Sequence, residues 1–312
     1  MAFRNLIQTV HFYNCIFTSN NAQYGGAVYF GMGNGNDLSN TGLITLIDFV
    51  NVTIRHNNAA LDGGGIYANN QNIFSILYSW IVGNVAGRSG GGIALYSNNT
   101  ITISKLTSFV HNSAETDGGA LAMNTGSIVT FNETTTFDSN YAKRYGGALV
   151  VSASTLVLGP NNITFVNNSA LSGSALYLMS SSTSTVILLN ASNDAIMFRN
   201  NMCQGGKGGG TVFYVKDLQT TTVLFGPQMP NYNQRVVFDN NKAAVGSGVA
   251  TQTTSLRSTS NQTTIIVTDY NLFLQPSLLV FNLVDAVNNI NTTDFASTVI
   301  IFQTCPTLSP LI

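Results

Sequence analysis

Asp62, Arg88, Glu115, Asp117, Lys143 and Arg144 are the side chains of this 312-residue sequence whose types and spacing could do chemistry. Each lies just ahead of a cluster of small residues, such as Gly63-Gly64-Gly65 or Gly118-Gly119-Ala120. Carboxylates gathered at one place can hold Ca²⁺, and a basic group beside them can remove a proton from a sugar ring. Asp62 and Asp117, however, belong to clusters two apart in the series, and basic residues alternate with them. His56 and His111 are separated in the same way, with Gly83 between them, so they do not share a metal. Cys15, Cys203 and Cys305 form an odd, widely spaced set without a metal-ligand pattern. Gly205 to Gly210, with Lys207 inside, lacks the Walker order of a phosphate loop, and neither a nucleophile elbow nor a HExxH pair occurs. No metal, cofactor or catalytic residue is expected.

The positions of these residues follow from a repeat. An apolar residue, two variable ones and Asn precede each small-residue cluster, which then enters an apolar strand. The Asn falls at Asn20, Asn57, Asn84, Asn112, Asn140, Asn168, Asn201 and Asn241, at intervals of 37, 27, 28, 28, 28, 33 and 40 residues. A near-constant interval with longer ones outside is the mark of one structural unit per repeat, with loop insertions. Each unit also holds two further apolar stretches, such as Leu156-Val157-Leu158 and Ile163-Thr164-Phe165, and Thr100-Ile101-Thr102-Ile103 alternates as a strand does. The spacing predicts an all-β fold: a right-handed parallel β-helix of about eight coils with three short strands per coil. Residues 1–267 are expected to form it, with 268–312 as a degenerate last coil or cap, and the N-terminal side reads as truncated.

Within such a coil every repeated residue has a structural task. The apolar residue, usually Phe, faces inward and stacks on its equivalents. The Asn is expected at a turn, in a left-handed conformation, its amide laddering along the axis. The Gly pair lets coils approach closely. In register, Asp62, Arg88, the pair Glu115 and Asp117, and the pair Lys143 and Arg144 form one column of alternating sign at about 4.8 Å steps, with Asp62, Arg88, Asp117 and Arg144 as its candidate ligand-binding residues. Its plainest reading is a solvated ladder of ion pairs; it is also the candidate ligand-binding site.

Composition sets outer limits. Charged residues make up 8% of the chain and the net charge is −1, so no basic stripe exists to bind nucleic acid. No apolar run is long enough to cross a membrane as a helix, and the first residues do not read as a secretory signal. Eight N-x-S/T sequons occur, beginning at Asn51 and ending at Asn291. Random placement in a chain so rich in Asn, Ser and Thr gives about the same number, so they add nothing to the case for secretion.

The pairing of F-x-x-N, at Phe17, Phe109, Phe137, Phe165, Phe198 and Phe238, with G-G-A-[ILV], at Gly25, Gly118 and Gly146, resembles the chlamydial polymorphic membrane proteins. The resemblance covers roughly residues 1–250. It implies a β-helical passenger region at the cell surface that acts in adhesion. Those proteins end in an outer-membrane barrel, and nothing after residue 250 offers the alternating strands of one. At the level of fold the chain is also similar to the pectate-lyase superfamily, and fold does not fix function. The expectation is therefore a non-catalytic, extracellular or surface protein whose partner is a surface protein or a carbohydrate. A carbohydrate-active β-helix enzyme is the alternative.

Overall fold

The computed structural model of the protein describes residues 2–3, 9–31, 46–159, 162–179, 185–188, 196–204, 213–215, 222–223, 236–243, 249–251, 253–258, 264–266 and 281–285. Among them there is no helix. The chain winds as a β-solenoid in which each strand pairs in parallel with its equivalents one repeat earlier and later. Sheet I carries the strands that follow the glycine clusters, from Val28–Phe30 and Ile66–Asn69 through Ile93–Tyr96, Leu121–Asn124, Leu149–Ser152 and Leu176–Leu178 to Val249–Thr251. Sheet II runs from Thr9–Tyr13 to Thr222–Val223, and sheet III from Ile16–Thr18 to Val236–Asp239.

These are the three strands per repeat that the sequence predicts, but there is a fourth. Two-residue strands from Asn21–Ala22 to Met202–Cys203 form sheet IV, between sheet III and the glycine cluster. Two residues are too short for alternation to register as a pattern, so the expectation of three strands per coil missed it. Their second residues, Ala59, Ala86, Ala114, Ala142, Ala170 and Cys203, are buried, and the close packing there admits little beyond a methyl or thiol. After Thr251 the pairing changes: Thr253–Ser258 pairs antiparallel with both Thr264–Ile266 and Phe281–Asp285.

Alternation places one set of side chains inside. Ile and Leu of sheet I, Ile, Val and Phe of sheet II and the repeat Phe of sheet III form one continuous core. Phe109, Phe137, Phe165 and Phe198 stack face to face at 4.9 Å between ring centroids, which is the strand spacing itself. Gly26, Gly64, Gly91, Gly119 and Gly147 sit where a Cβ would lie 2.2–2.3 Å from a carbonyl oxygen of the next coil. Contact between coils, rather than backbone freedom, requires glycine there.

The Asn ladder is present, and its geometry corrects the turn assignment. The left-handed residue is the one before each Asn: Ser19, His56, Gly83, His111, Ser139, Asn167, Asn200 and Asn240 all have positive φ. The Asn itself turns inward. Asn140 accepts hydrogen bonds at Oδ1 from the main-chain N–H (3.0 Å) and Nδ2 (3.1 Å) of Asn112, and donates from Nδ2 to Asn168 Oδ1 (3.0 Å) and the Phe109 carbonyl (3.0 Å). The same three-way pattern runs from Asn57 to Asn201, all of them buried. It continues across the 40-residue interval to Asn241, so the insertions leave the ladder in register.

Candidate ligand-binding face

The predicted column resolves into two neighbouring columns at the corner between sheets IV and I. Main-chain bonds Gly63 N–H to Ser89 O, Gly90 N–H to Asp117 O and Gly118 N–H to Tyr145 O align Asp62, Ser89, Asp117 and Tyr145. Bonds from Arg88 to Leu61, Thr116 to Arg88 and Arg144 to Thr116 align Leu61, Arg88, Thr116 and Arg144. The glycine clusters fix this register, so the one-residue offset makes each arginine reach diagonally back to the preceding coil.

The result is two bidentate pairs. Arg88 Nε donates to Asp62 Oδ1 at 2.9 Å and Nη2 donates to Oδ2. The Ser89 main-chain N–H adds a third bond to Oδ1 at 3.0 Å, and Asp62 is entirely buried. Arg144 Nη2 donates to Asp117 Oδ2 at 2.9 Å, with Nε 3.3 Å from Oδ1. Both arginines are half-exposed, and both are held protonated above the ordinary range chiefly by the bond to their carboxylate. The expectation of a solvated ladder therefore holds for Glu115–Lys143, whose side chains are exposed, and fails for Asp62 and Asp117, whose carboxylates are buried or nearly so.

A layer of tyrosines, which the charge pattern gave no reason to look for, lies beside these pairs. In the sheet I strands from Val28–Phe30 to Leu176–Leu178 the second residue lies on the side away from the core: Tyr29, Tyr67, Ala94, Ala122, Val150 and Tyr177, all but Tyr29 themselves buried. Tyr67 stacks on Tyr29 at 5.3 Å and meets Tyr24 at 5.0 Å and Tyr96 at 5.5 Å. The Asp62 carboxylate lies near enough to the Tyr96 phenol to help raise it. Further along, Tyr145 stacks on Tyr177 at 4.3 Å and carries the Arg144 guanidinium over its ring. Burial, ahead of the neighbouring phenols and Asp62, raises the Tyr67 phenol to about 12, and Tyr96 is raised in the same direction for the same leading reason. The signal in the sequence was Tyr two residues after a glycine-rich cluster's end, as in Ala27-Val28-Tyr29 and Gly65-Ile66-Tyr67.

No protein-family model, curated protein or solved structure matches this chain. The face must therefore be read from its own chemistry. It offers phenol hydroxyls, aromatic edges and two guanidinium groups whose Nη1 atoms have no hydrogen bond among the described residues. That set suits recognition of a polar ligand through donated hydrogen bonds and ring contacts. It does not bring together an acid and a base that are free to exchange a proton.

The remaining candidates stay apart. His56 lies over Gly83, where a Cβ would meet its Nδ1 at 2.8 Å, and His111 is exposed one coil further on. Cys203 fills the buried small-residue position of sheet IV, and burial pushes its thiol up to about 11. Cys15 donates to the Tyr13 carbonyl at 3.2 Å. Cys305 and the Gly205 to Gly210 run lie outside the described residues. Among the described residues no group of three His, Cys, Asp or Glu could hold a metal ion, and no helix is long and apolar enough to cross a membrane.

Proposed function

We propose that this chain is a right-handed solenoid of eight coils that acts outside the cell or at its surface in adhesion, display or ligand binding, without catalysis. The relationship with chlamydial polymorphic membrane proteins implied by the repeats belongs to the same proposal. The observation that carries it is the state of the two buried carboxylates. Asp62 and Asp117 are each closed by an arginine of the following coil, which occupies their oxygens and leaves them poor ligands for Ca²⁺. The repeated polar residues are likewise bound up in ladders between coils. What the surface has left to offer is the tyrosine and arginine face, with Asp62, Arg88, Asp117 and Arg144 framing it.

The partner on this reading is a surface carbohydrate or a surface protein. The purified chain applied to a glycan array and to intact cells tests this. Binding that is weakened by Tyr24→Ala or Tyr96→Ala supports the proposal. Cleavage of a uronate polymer by the parent chain in the presence of Ca²⁺, abolished by Asp117→Ala, would overturn it in favour of a polysaccharide-cleaving enzyme.

A further inference from the structure

The number of N-x-S/T sequons carries no information, but the placement of one of them does. Asn51, Asn98, Asn132, Asn162 and Asn167 head sequons among the described residues, and all are exposed. Asn51-Val52-Thr53 crosses the corner between sheets II and III. Asn51 holds the left-handed conformation, with φ +54, and its Nδ2 donates to Asn14 Oδ1 at 2.7 Å.

The following coil sets an aromatic residue beside each end of this sequon. The Asn51 main-chain N–H bonds the Leu77 carbonyl, which aligns Asn51 with Tyr78. Thr53 pairs directly with Trp80 across sheet III. Between them the register is pinned by Val52 N–H to Ser79 Oγ at 3.1 Å and Trp80 N–H to the Val52 carbonyl at 2.9 Å. Tyr78 is 48% exposed, and Trp80, the one Trp of the chain, is 53% exposed. In the Trp80 column neighbouring coils carry Thr53, Ser108, Thr136 and Thr164. This coil replaces a small hydroxyl with the largest side chain, on the open side of the strand. Leu106, beside Tyr78 on the next coil, is exposed as well. Large apolar side chains gathered in water at one corner mark a surface that something covers. Other sequons meet no such ring: Asn98 faces Gly126, and Asn167 faces Asn200.

We propose that Asn51 carries an N-linked glycan whose first sugar lies on Tyr78 and Trp80. This rests on the reading of the chain as an extracellular or surface protein. In the attachment, Asn51 Nδ2 bonds the anomeric carbon of an N-acetylhexosamine held on a lipid pyrophosphate. The bond from that carbon to the pyrophosphate oxygen breaks, the pyrophosphate leaves with the electron pair, and Nδ2 gives one proton to solvent. The hydrogen that stays on Nδ2 continues to serve Asn14 Oδ1. The sugar lays its C–H face on the rings and keeps its hydroxyls in water. Tethered one coil away, it is present at a high effective concentration and takes the corner ahead of any free ligand.

Peptide mass spectrometry of the full chain recovered from the cells that make it, after glycosidase release in heavy-oxygen water, reads the occupancy of Asn51. Occupancy in most copies is expected. Because Trp80 is the sole Trp, fluorescence reports on this corner alone. In Asn51→Gln, acrylamide quenching should rise at least about twofold as the ring loses its cover. The glycosylated parent should also melt above Asn51→Gln. That gap should close when both carry Tyr78→Ser and Trp80→Thr, which restore small polar side chains at exposed positions. An equal gap with and without the rings overturns the proposal. Antibody labelling of intact cells reads the location of the chain separately. A chain outside the cell with a bare Asn51 overturns the proposal and leaves the surface reading standing, whereas a chain found only inside overturns both.

Discussion

Arg88 reaches back one coil to close the carboxylate of Asp62, which is entirely removed from water. Removing the arginine leaves the buried Asp62 carboxylate with the Ser89 main-chain N–H among the described residues. A broken buried pair costs about 3–5 kcal/mol, and because Arg88 is half-exposed, water offsets part of this. Arg88→Ala should therefore lower stability by about 1–3 kcal/mol, and Arg144→Ala by somewhat less, Asp117 being slightly more accessible. Lys143→Ala, at an exposed pair, should leave the denaturation midpoint where it is. The double variant Asp62→Asn/Arg88→Ala should recover part of the loss, because no charge remains buried. Equal midpoints for Arg88→Ala and Lys143→Ala would show that the pair is as solvated as its surface neighbour.

The ladder should be the costliest place to remove a single amide. Asn140→Ala strips the acceptor from two buried donors of Asn112 and the donor from the Phe109 carbonyl. Each stranded group costs about 1–3 kcal/mol, with relaxation absorbing part. A loss of about 2–4 kcal/mol is expected in chemical denaturation. Native-state hydrogen exchange should show the opening confined to the neighbouring coils, as solenoids couple nearest neighbours most strongly. A change below about 1 kcal/mol would mean that water takes over the amide's role.

Much of this architecture is legible in the residues because inward positions repeat. Phe137 and Phe165 stack and Asn140 and Asn168 ladder because a coil of constant length returns each residue above its predecessor. Offsets between coils are another matter. Asp62 and Arg88 look like members of one column when both are counted as lying just before glycine, and the single-residue shift between them decides that they pair. Tyr96 illustrates a second limit. It follows the outward Ala94 by two positions, yet the carboxylate that acts on its phenol, Asp62, belongs to the preceding coil. No spacing within one repeat reveals such a contact.

Two positions in the turns separate conformational need from steric need. His111 has φ +53 and is exposed, so its backbone is strained while its side chain has room. His111→Gly should be more stable than His111→Ala by about 1 kcal/mol, the cost of a Cβ in the left-handed region. Gly83 already occupies the equivalent place one coil earlier. Gly119 is the opposite case. An added Cβ would lie 2.2 Å from the Gly147 carbonyl oxygen and 2.4 Å from that of Tyr141. Main chain on both sides cannot step aside without parting two coils, so Gly119→Ala should cost more than about 3 kcal/mol or abolish folding. Thermal and chemical denaturation of the three variants check the ordering.

The buried phenol of Tyr67 ties stability to alkaline pH with a definite sign. Its ordinary value is 10.0 and the folded chain raises it to about 12, mainly through burial. Below pH 10 the phenol is protonated in both states and its contribution is complete. As the pH climbs past 10, the unfolded chain releases the proton while the folded chain keeps it. Stability then falls, because the folded state binds more protons than the unfolded one. The loss continues until the pH passes the folded value near 12. Tyr96 is raised in the same direction and adds to the slope. In Tyr67→Phe the proton and its coupling are both gone, so the denaturation midpoint should decline less steeply over this range than in the parent. Phenolate absorbance provides the matching titration: a fraction that ionises late in the parent should shrink in Tyr67→Phe. Parallel declines of the two midpoints above pH 10 would show that the Tyr67 hydroxyl reaches water and that the tyrosine layer is open.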